Sequence, residues 1–217
     1  MTNKSIKAVL WDFGGVLTTS PFESFNRYEK EQGLPDNFLR TVNSTNPHEN
    51  AWAKFERSQV TAEEFDELFL KESTALGHPV RGQAVIQLLA GDIRTRVVSA
   101  LTEISKDMKC VCLTNNVSAG KGPGMSRSEE AQKAVLEVMQ LFDQVIESSK
   151  IGMRKPDPEI YKYTCEQMGM QPDEILYLDD LGVNLKPAAQ MGMQTIKVLG
   201  EDQLLDDLGT ALGRKFN

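Results

Sequence analysis

The stretch that most constrains this chain is Ala8-Val9-Leu10-Trp11-Asp12-Phe13-Gly14-Gly15-Val16-Leu17. Four apolar residues in a row stop at a carboxylate rather than at a turn. A short apolar run bounded by glycines suits a strand buried on both faces, as in a parallel α/β sheet. In such sheets ligands bind beyond the carboxyl ends of the strands, so Asp12 lies where chemistry is expected. Gly14 and Gly15 let the backbone turn sharply and come close to a ligand. Taken alone, Asp12 reads equally well as a polar cap on the strand end.

After Leu17 the pattern changes. From about 18 to 91 the periodicity is helical and no convincing strand is found. Phe22, Phe25 and Tyr28 fall at helical spacing before Gly33-Leu34-Pro35, and the run from Ala51-Trp52 to Phe55 continues the pattern. Thr61-Ala62-Glu63-Glu64 is a capping box, opening a helix whose apolar face is Phe65, Leu68 and Phe69. This aromatic stripe reads as packing rather than as a cofactor box. From Ile93 onward strand and helix alternate, with apolar strand runs at 108–113, 145–146, 175–178 and 194–198. Such alternation implies a parallel, doubly wound sheet. The expected fold is therefore α/β, a Rossmann-like three-layer core made of residues 1–17 and 93–217. An all-helical cap of residues 18–92 is inserted after the first strand.

Composition narrows the partners. A net charge of −7 argues against a general nucleic-acid or anionic-membrane surface, while leaving room for a local anion pocket. No long apolar span is present. Cys110, Cys112 and Cys165 are odd in number and lack zinc spacing. The first two would share one face of a strand as core filler. With no signal-peptide pattern, this points to a cytoplasmic location. Monomer and homodimer both remain open.

Three strand runs end in polar residues: Asp12, Thr114-Asn115 and Asp179-Asp180. In a parallel sheet those ends share one edge, so residues distant in sequence converge on one crevice. Lys155, in the loop before Pro156-Asp157-Pro158, is positioned to enter it. Phosphoryl transfer uses such a set. A carboxylate attacks phosphorus, while a hydroxyl and an ammonium hold the equatorial oxygens. A hard cation such as Mg²⁺, which takes oxygen ligands, offsets the developing charge.

The set resembles the four motifs of the haloacid dehalogenase superfamily, in order and across essentially the whole chain. Asp12-Phe13-Gly14-Gly15-Val16-Leu17 is similar to the first, and Leu113-Thr114-Asn115 to the second. Lys155 within Gly152-Met153-Arg154-Lys155-Pro156-Asp157-Pro158 resembles the third, and Leu178-Asp179-Asp180-Leu181-Gly182-Val183-Asn184 the fourth. The stretches around Lys155 and Asp180 are similar to the N-terminal phosphatase domains of soluble epoxide hydrolases. The resemblance implies a hydrolase with Asp12 as nucleophile, Thr114, Asn115 and Lys155 holding phosphate, and a small phosphorylated metabolite as substrate. It also implies Mg²⁺ held by Asp12, the carbonyl of Gly14, Asp180 and the nearby Asp179.

One position departs from the family pattern. Phosphatases of the superfamily usually carry a second aspartate two residues after the nucleophile, as general acid and base. Gly14 stands there instead, and positioned acid–base groups typically contribute roughly 10²–10⁴-fold. The expectation is a Mg²⁺-dependent phosphatase of attenuated activity; a non-catalytic or weakly active phosphate- and metal-binding protein is the alternative. A 2-haloacid dehalogenase ranks third, since paired Asp179-Asp180 would disfavour each other's ionisation without a cation. Asn184 either orients a carboxylate or caps a helix. Trp52 and Arg57 are candidate substrate contacts, and His48 and His78 read as loop or surface residues. Gly120-Lys121-Gly122-Pro123-Gly124 lacks the ending of a phosphate-binding P-loop and reads as a loop.

Overall fold

The computed structural model describes residues 6–117 and 128–216, so the glycine-rich stretch at 120–124 lies outside the described residues. Strand β1 (Ala8–Trp11) is buried along its whole length, as its unbroken apolar run requires. It pairs in parallel with β2 (Lys109–Thr114) on one side and β4 (Ile175–Asp179) on the other. Outer strands β3 (Gln144–Glu147) and β5 (Gln194–Lys197) complete a five-stranded parallel sheet of order β3-β2-β1-β4-β5. The direction of winding reverses beside β1, so the switch point of the sheet lies between β1 and β4.

The period of two sorts the strand side chains onto two faces. Val9, Trp11, Cys110, Cys112, Leu176 and Leu178 pack on one, against α6 (Thr95–Ile104), α7 (Glu129–Met139) and α11 (Glu201–Leu212). Ala8, Leu10, Val111, Leu113 and Tyr177 pack on the other, against α9 (Pro158–Met168) and α10 (Gly182–Met191). This is the three-layer α/β core expected from the alternation. Burying one such Leu or Val contributes roughly 1.5–3 kcal/mol, so both faces together anchor the strand ends carrying the polar residues. Cys110 and Cys112 are buried and unpaired, and burial pushes the Cys110 thiol up to about 12.

Between β1 and α6 the chain is helical throughout: α1 (Pro21–Gln32), α2 (Phe38–Ser44), α3 (Ala51–Glu56), α4 (Ala62–Ala75) and α5 (Gly82–Ile86). The Thr61–Glu64 capping box opens α4 in both directions. Phe25, Leu39, Phe55, Phe65, Phe69 and Val85 form a separate apolar cluster, with Phe55 and Phe65 stacked at 4.5 Å. The two ends of the segment lie side by side: Thr18 bridges Ile93, and Thr19 N donates to Asp92 O at 2.8 Å.

Boundaries shift from the sequence reading by a residue or two, mostly where ladders run on. Strand β4 extends through Asp179, whose carbonyl accepts from Val198 N at 3.0 Å. A four-residue helix, α8 (Ser148–Ile151), follows β3 where a loop is expected; Gly152, in the left-handed region at φ 69°, ends it. No helix among the described residues is long and apolar enough to cross a membrane.

Candidate active site

Sheet register sets the first contacts. Trp11 lies opposite Leu178, so Asp12, the next residue, is level with Asp179, and Asp12 N donates to Leu178 O at 2.9 Å. The Phe13 N–H donates to Asp12 Oδ1 at 2.7 Å and fixes that carboxylate. Lys155, only 1% exposed, places Nζ at 2.8 Å from both Asp12 Oδ1 and Asp179 Oδ2. A fully buried lysine is retained only with such partners. The two flanking carboxylates raise its pKa against the opposing pull of burial, so it stays charged.

Asp179 is occupied from all sides. It accepts from Leu181 N (2.8 Å), Asn184 Nδ2 (3.0 and 3.1 Å), Tyr177 OH (2.5 Å) and Lys155 Nζ (2.8 Å). A carboxylate offers about four lone-pair sites, and four donors use them. The geometry therefore makes Asp179 an anchor for Lys155, with little left for a cation. Asn184, whose role the sequence left open, orients this carboxylate. The phenol of Tyr177 is pushed well above its ordinary range, first by burial and then by Asp179.

Asp180 faces the other way. Its Oδ2 accepts from Ser20 Oγ at 3.3 Å. A Cβ on Gly15 would lie 2.2 Å from that oxygen, and Gly15 has φ +76°, so glycine is required there on both counts. Burial first, then Asp179, pushes the Asp180 carboxyl up to about 6. Asp12 is also driven well above its usual range, by burial and by Asp179 and Asp180, against the pull of Lys155. Carboxylate oxygens of Asp12, Asp179 and Asp180 lie within 4.8 Å of one another. When all three carboxylates are ionised, one ammonium leaves two negative charges, a balance that suits a hard divalent cation on Asp12 and Asp180.

Asn115 does not point freely at the crevice. Its amide exchanges two bonds with the Lys155 backbone, Nδ2 to O and Oδ1 from N, each 2.9 Å. The same Nδ2 reaches Glu56 Oε2 at 3.2 Å. Glu56, at the end of α3, also accepts from Trp52 Nε1 at 3.0 Å and from Arg154 Nε at 2.5 Å. Glu56 and Arg154 were not singled out in the sequence: Glu56 is one charge on a short helix, and Arg154 stands beside the more conspicuous Lys155. Arg57, a candidate substrate contact, is instead paired with Asp157 at 2.7 Å. His78 packs edge-on against Phe38 at 5.2 Å between centroids.

These residues border one cavity of about 590 Å³ between the helical segment and the sheet edge. Asp12, Gly14, Thr114, Asn115, Lys155 and Asp180 form its floor, and Phe22, Phe25, Trp52 and Leu89 rise on the helical side. His48, read as a loop residue, also borders it. A Cβ on Gly14 would meet nothing within 4 Å.

Fold, site and comparison agree on a class: the chain belongs to the haloacid dehalogenase-like hydrolases, whose family model matches residues 6–192. It is 30% identical over 218 residues to mouse acyl-CoA dehydrogenase family member 10 and 28% identical over 223 residues to mouse bifunctional epoxide hydrolase 2. Those alignments cover 97% and 98% of this chain but only 19% and 40% of the relatives, so the chain spans less than half the length of either. Sesquiterpene phosphatase astK of Aspergillus oryzae is 27% identical, over 96% of this chain and 94% of its own length. Among solved structures, a haloacid dehalogenase family enzyme of Bacteroides thetaiotaomicron in complex with magnesium and inorganic phosphate shares the fold. The TM-score is 0.60 at 21% identity, covering 91% of this chain and 97% of that one.

Proposed function

We propose that this hydrolase is a Mg²⁺-dependent phosphatase of a small phosphorylated compound, working through an aspartyl-phosphate on Asp12. One observation carries the reading: the buried Lys155 ammonium bridges Asp12 and Asp179 beside Asp180, in a cluster two negative charges short of neutrality. Phe13 N and Lys155 hold Asp12 in one orientation, so its carboxylate meets phosphorus without a rotational search. Attack forms the Asp12 O–P bond as the ester O–P bond breaks, and the departing alkoxide takes its proton from water. A second water then attacks phosphorus, releasing phosphate and restoring the carboxylate. Lys155 and Thr114 hold phosphoryl oxygens, and Asn115 fixes the Lys155 backbone.

Asp12, Asp180 and the Gly14 carbonyl are the proposed cation ligands, with Asp179 assigned to Lys155. When bound, Mg²⁺ neutralises charge that develops on the transferring group. The segment 18–92 serves as a cap that closes the cavity and excludes water, and 1–17 with 93–217 as the core. Three unpaired cysteines agree with a reducing cytoplasm. Relatives named for magnesium with phosphate and for phosphatase activity support the reaction class.

Gly14 favours a second reading, a phosphate- and metal-binding protein with little turnover, because no side chain there donates a proton. A panel of phosphate monoesters with Mg²⁺ separates the two. The phosphatase reading predicts phosphate release from at least one ester, abolished by chelation and in Asp12→Asn. Stabilisation by phosphate and Mg²⁺ with no Asp12-dependent release supports the binding protein.

A further inference from the structure

We propose that Glu56 is a positioning residue for the reaction: a carboxylate from the helical segment that holds Lys155 in place through the side chain of Asn115. This rests on the phosphatase reading for what Lys155 does, and adds how the lysine is kept where it acts. Lys155 lies between α8 and α9, outside any helix or strand, so no ladder fixes its backbone. Its N–H and carbonyl bond instead to Asn115, through Oδ1 and Nδ2, each at 2.9 Å. An amide nitrogen carries two hydrogens. The second on Asn115 Nδ2 goes to Glu56 Oε2 at 3.2 Å. One line of contacts thus runs from α3 through a single amide to the ammonium that lies 2.8 Å from Asp12 Oδ1.

Glu56 is itself held still. Trp52 Nε1 donates to its Oε1 at 3.0 Å, and Arg154 Nε to its Oε2 at 2.5 Å. Glu56 borders the cavity, yet both oxygens are spent as acceptors, so it is placed to orient its neighbours rather than to donate to a substrate. Seating the helical segment does not by itself call for this carboxylate. Arg57 already pairs with Asp157 at 2.7 Å, and Ser58 Oγ donates to Ser149 O at 2.8 Å. A buried ion pair adds little stability over apolar packing of the same volume. An apolar pair, however, could not accept from Asn115 and so could not orient its amide. Misplacing a reacting group by about 1 Å can cost roughly 10²-fold in rate, so a loosened Lys155 would be felt at Asp12.

The test is a double-mutant cycle between Glu56→Asp and Asn115→Ala, read in two ways. Glu56→Asp withdraws the carboxylate by one methylene. The flexible Arg154 side chain can follow it; Asn115, tied twice to Lys155, cannot. Hydrogen exchange followed by NMR reads the Lys155 amide, with the amides of β1 as the control for global unfolding. In Glu56→Asp the Lys155 amide should exchange roughly tenfold faster, as expected for the loss of one charge-assisted hydrogen bond, while β1 is unchanged. Phosphate release at saturating ester and Mg²⁺ should fall roughly 10–10²-fold. In the Asn115→Ala background, Glu56→Asp should change either readout by less than about twofold, because the contact it acts through is gone. Equal losses in both backgrounds, or faster exchange in β1 and at Lys155 alike, would overturn the proposal and leave Glu56 a purely structural residue. Unchanged exchange at Lys155 in Glu56→Asp would overturn it as well. Absence of Asp12-dependent release from every ester would instead overturn the phosphatase reading, and the exchange cycle would still decide whether Glu56 holds Lys155.

Discussion

In the proposed phosphatase, position 14 is the residue at which binding and turnover would part. Its backbone lies outside the left-handed region, and a Cβ there would meet nothing within 4 Å, so neither backbone strain nor crowding at the Cβ demands glycine. Gly14→Asp should therefore fold as the parent does and supply the missing acid–base group. Turnover is expected to rise by roughly 10²–10⁴-fold, read as initial rates of phosphate release on the parent's best ester. Gly15 is the opposite case, because Asp180 occupies the space a Cβ would need. Asp180 carries a pH signature as well. Its carboxyl sits near 6 in the folded state against 3.8 ordinarily, so folding favours its protonated form. The stability this contributes is fully present below about pH 4 and is lost as pH rises through 6, about 3 kcal/mol in all. Without metal, the parent should lose stability relative to Asp180→Asn across that window in thermal melts. Mg²⁺ should recover it above pH 6 and bind progressively more weakly below, where it competes with a proton. Sequence alone marked Asp12, Lys155 and Asp180, since each ends or follows a strand in a recognisable motif. It could not divide the labour of Asp179 and Asp180. That division depends on which carboxylate Asn184 and Tyr177 reach in space.

Among the elements, α3 matters most for joining the two parts of the molecule. Glu56 at its end gathers Trp52, Asn115 and Arg154, and Arg57 next to it pairs with Asp157. Both members of the Glu56–Arg154 pair are largely buried, at 7% and 12% side-chain exposure. Removing the acid strands a desolvated guanidinium, so Glu56→Ala should cost about 3–5 kcal/mol in urea denaturation. Glu56→Gln, whose single amide oxygen accepts either from Trp52 or on the Asn115 and Arg154 side, keeps the volume and one acceptor and should cost less. The helical pattern of 51–55 and the capping box of α4 were legible because periodicity and caps are local. The contacts of Glu56 and Arg154 were not, because they join residues 98 apart in sequence. The short helix α8 escaped notice for a related reason: four residues carry too little periodicity to register.

At the scale of the whole molecule, a parallel sheet brings residues 12, 114, 155, 179 and 180 to one edge, and residues of the helical segment border the same cavity as Asp12, Thr114, Lys155 and Asp180. This much of the fold could be read from alternating apolar runs, since a doubly wound sheet follows from their order. The cavity could not, because its walls come from Phe22, Phe25, Trp52 and Leu89, aromatic and aliphatic side chains that look like ordinary core in the sequence. Phosphorylation of Asp12 in the proposed reaction is tested directly by chemical quenching. Protein mixed with Mg²⁺ and a reactive phosphate ester, quenched in acid and digested, is searched by mass spectrometry for a phosphoryl group on the peptide carrying residue 12. The predicted result is a phosphoryl adduct on Asp12 that persists in the parent, clears faster in Gly14→Asp and is absent from Asp12→Asn. Phosphate release at the parent's rate from Asp12→Asn, with no adduct at residue 12 in any variant, would contradict it.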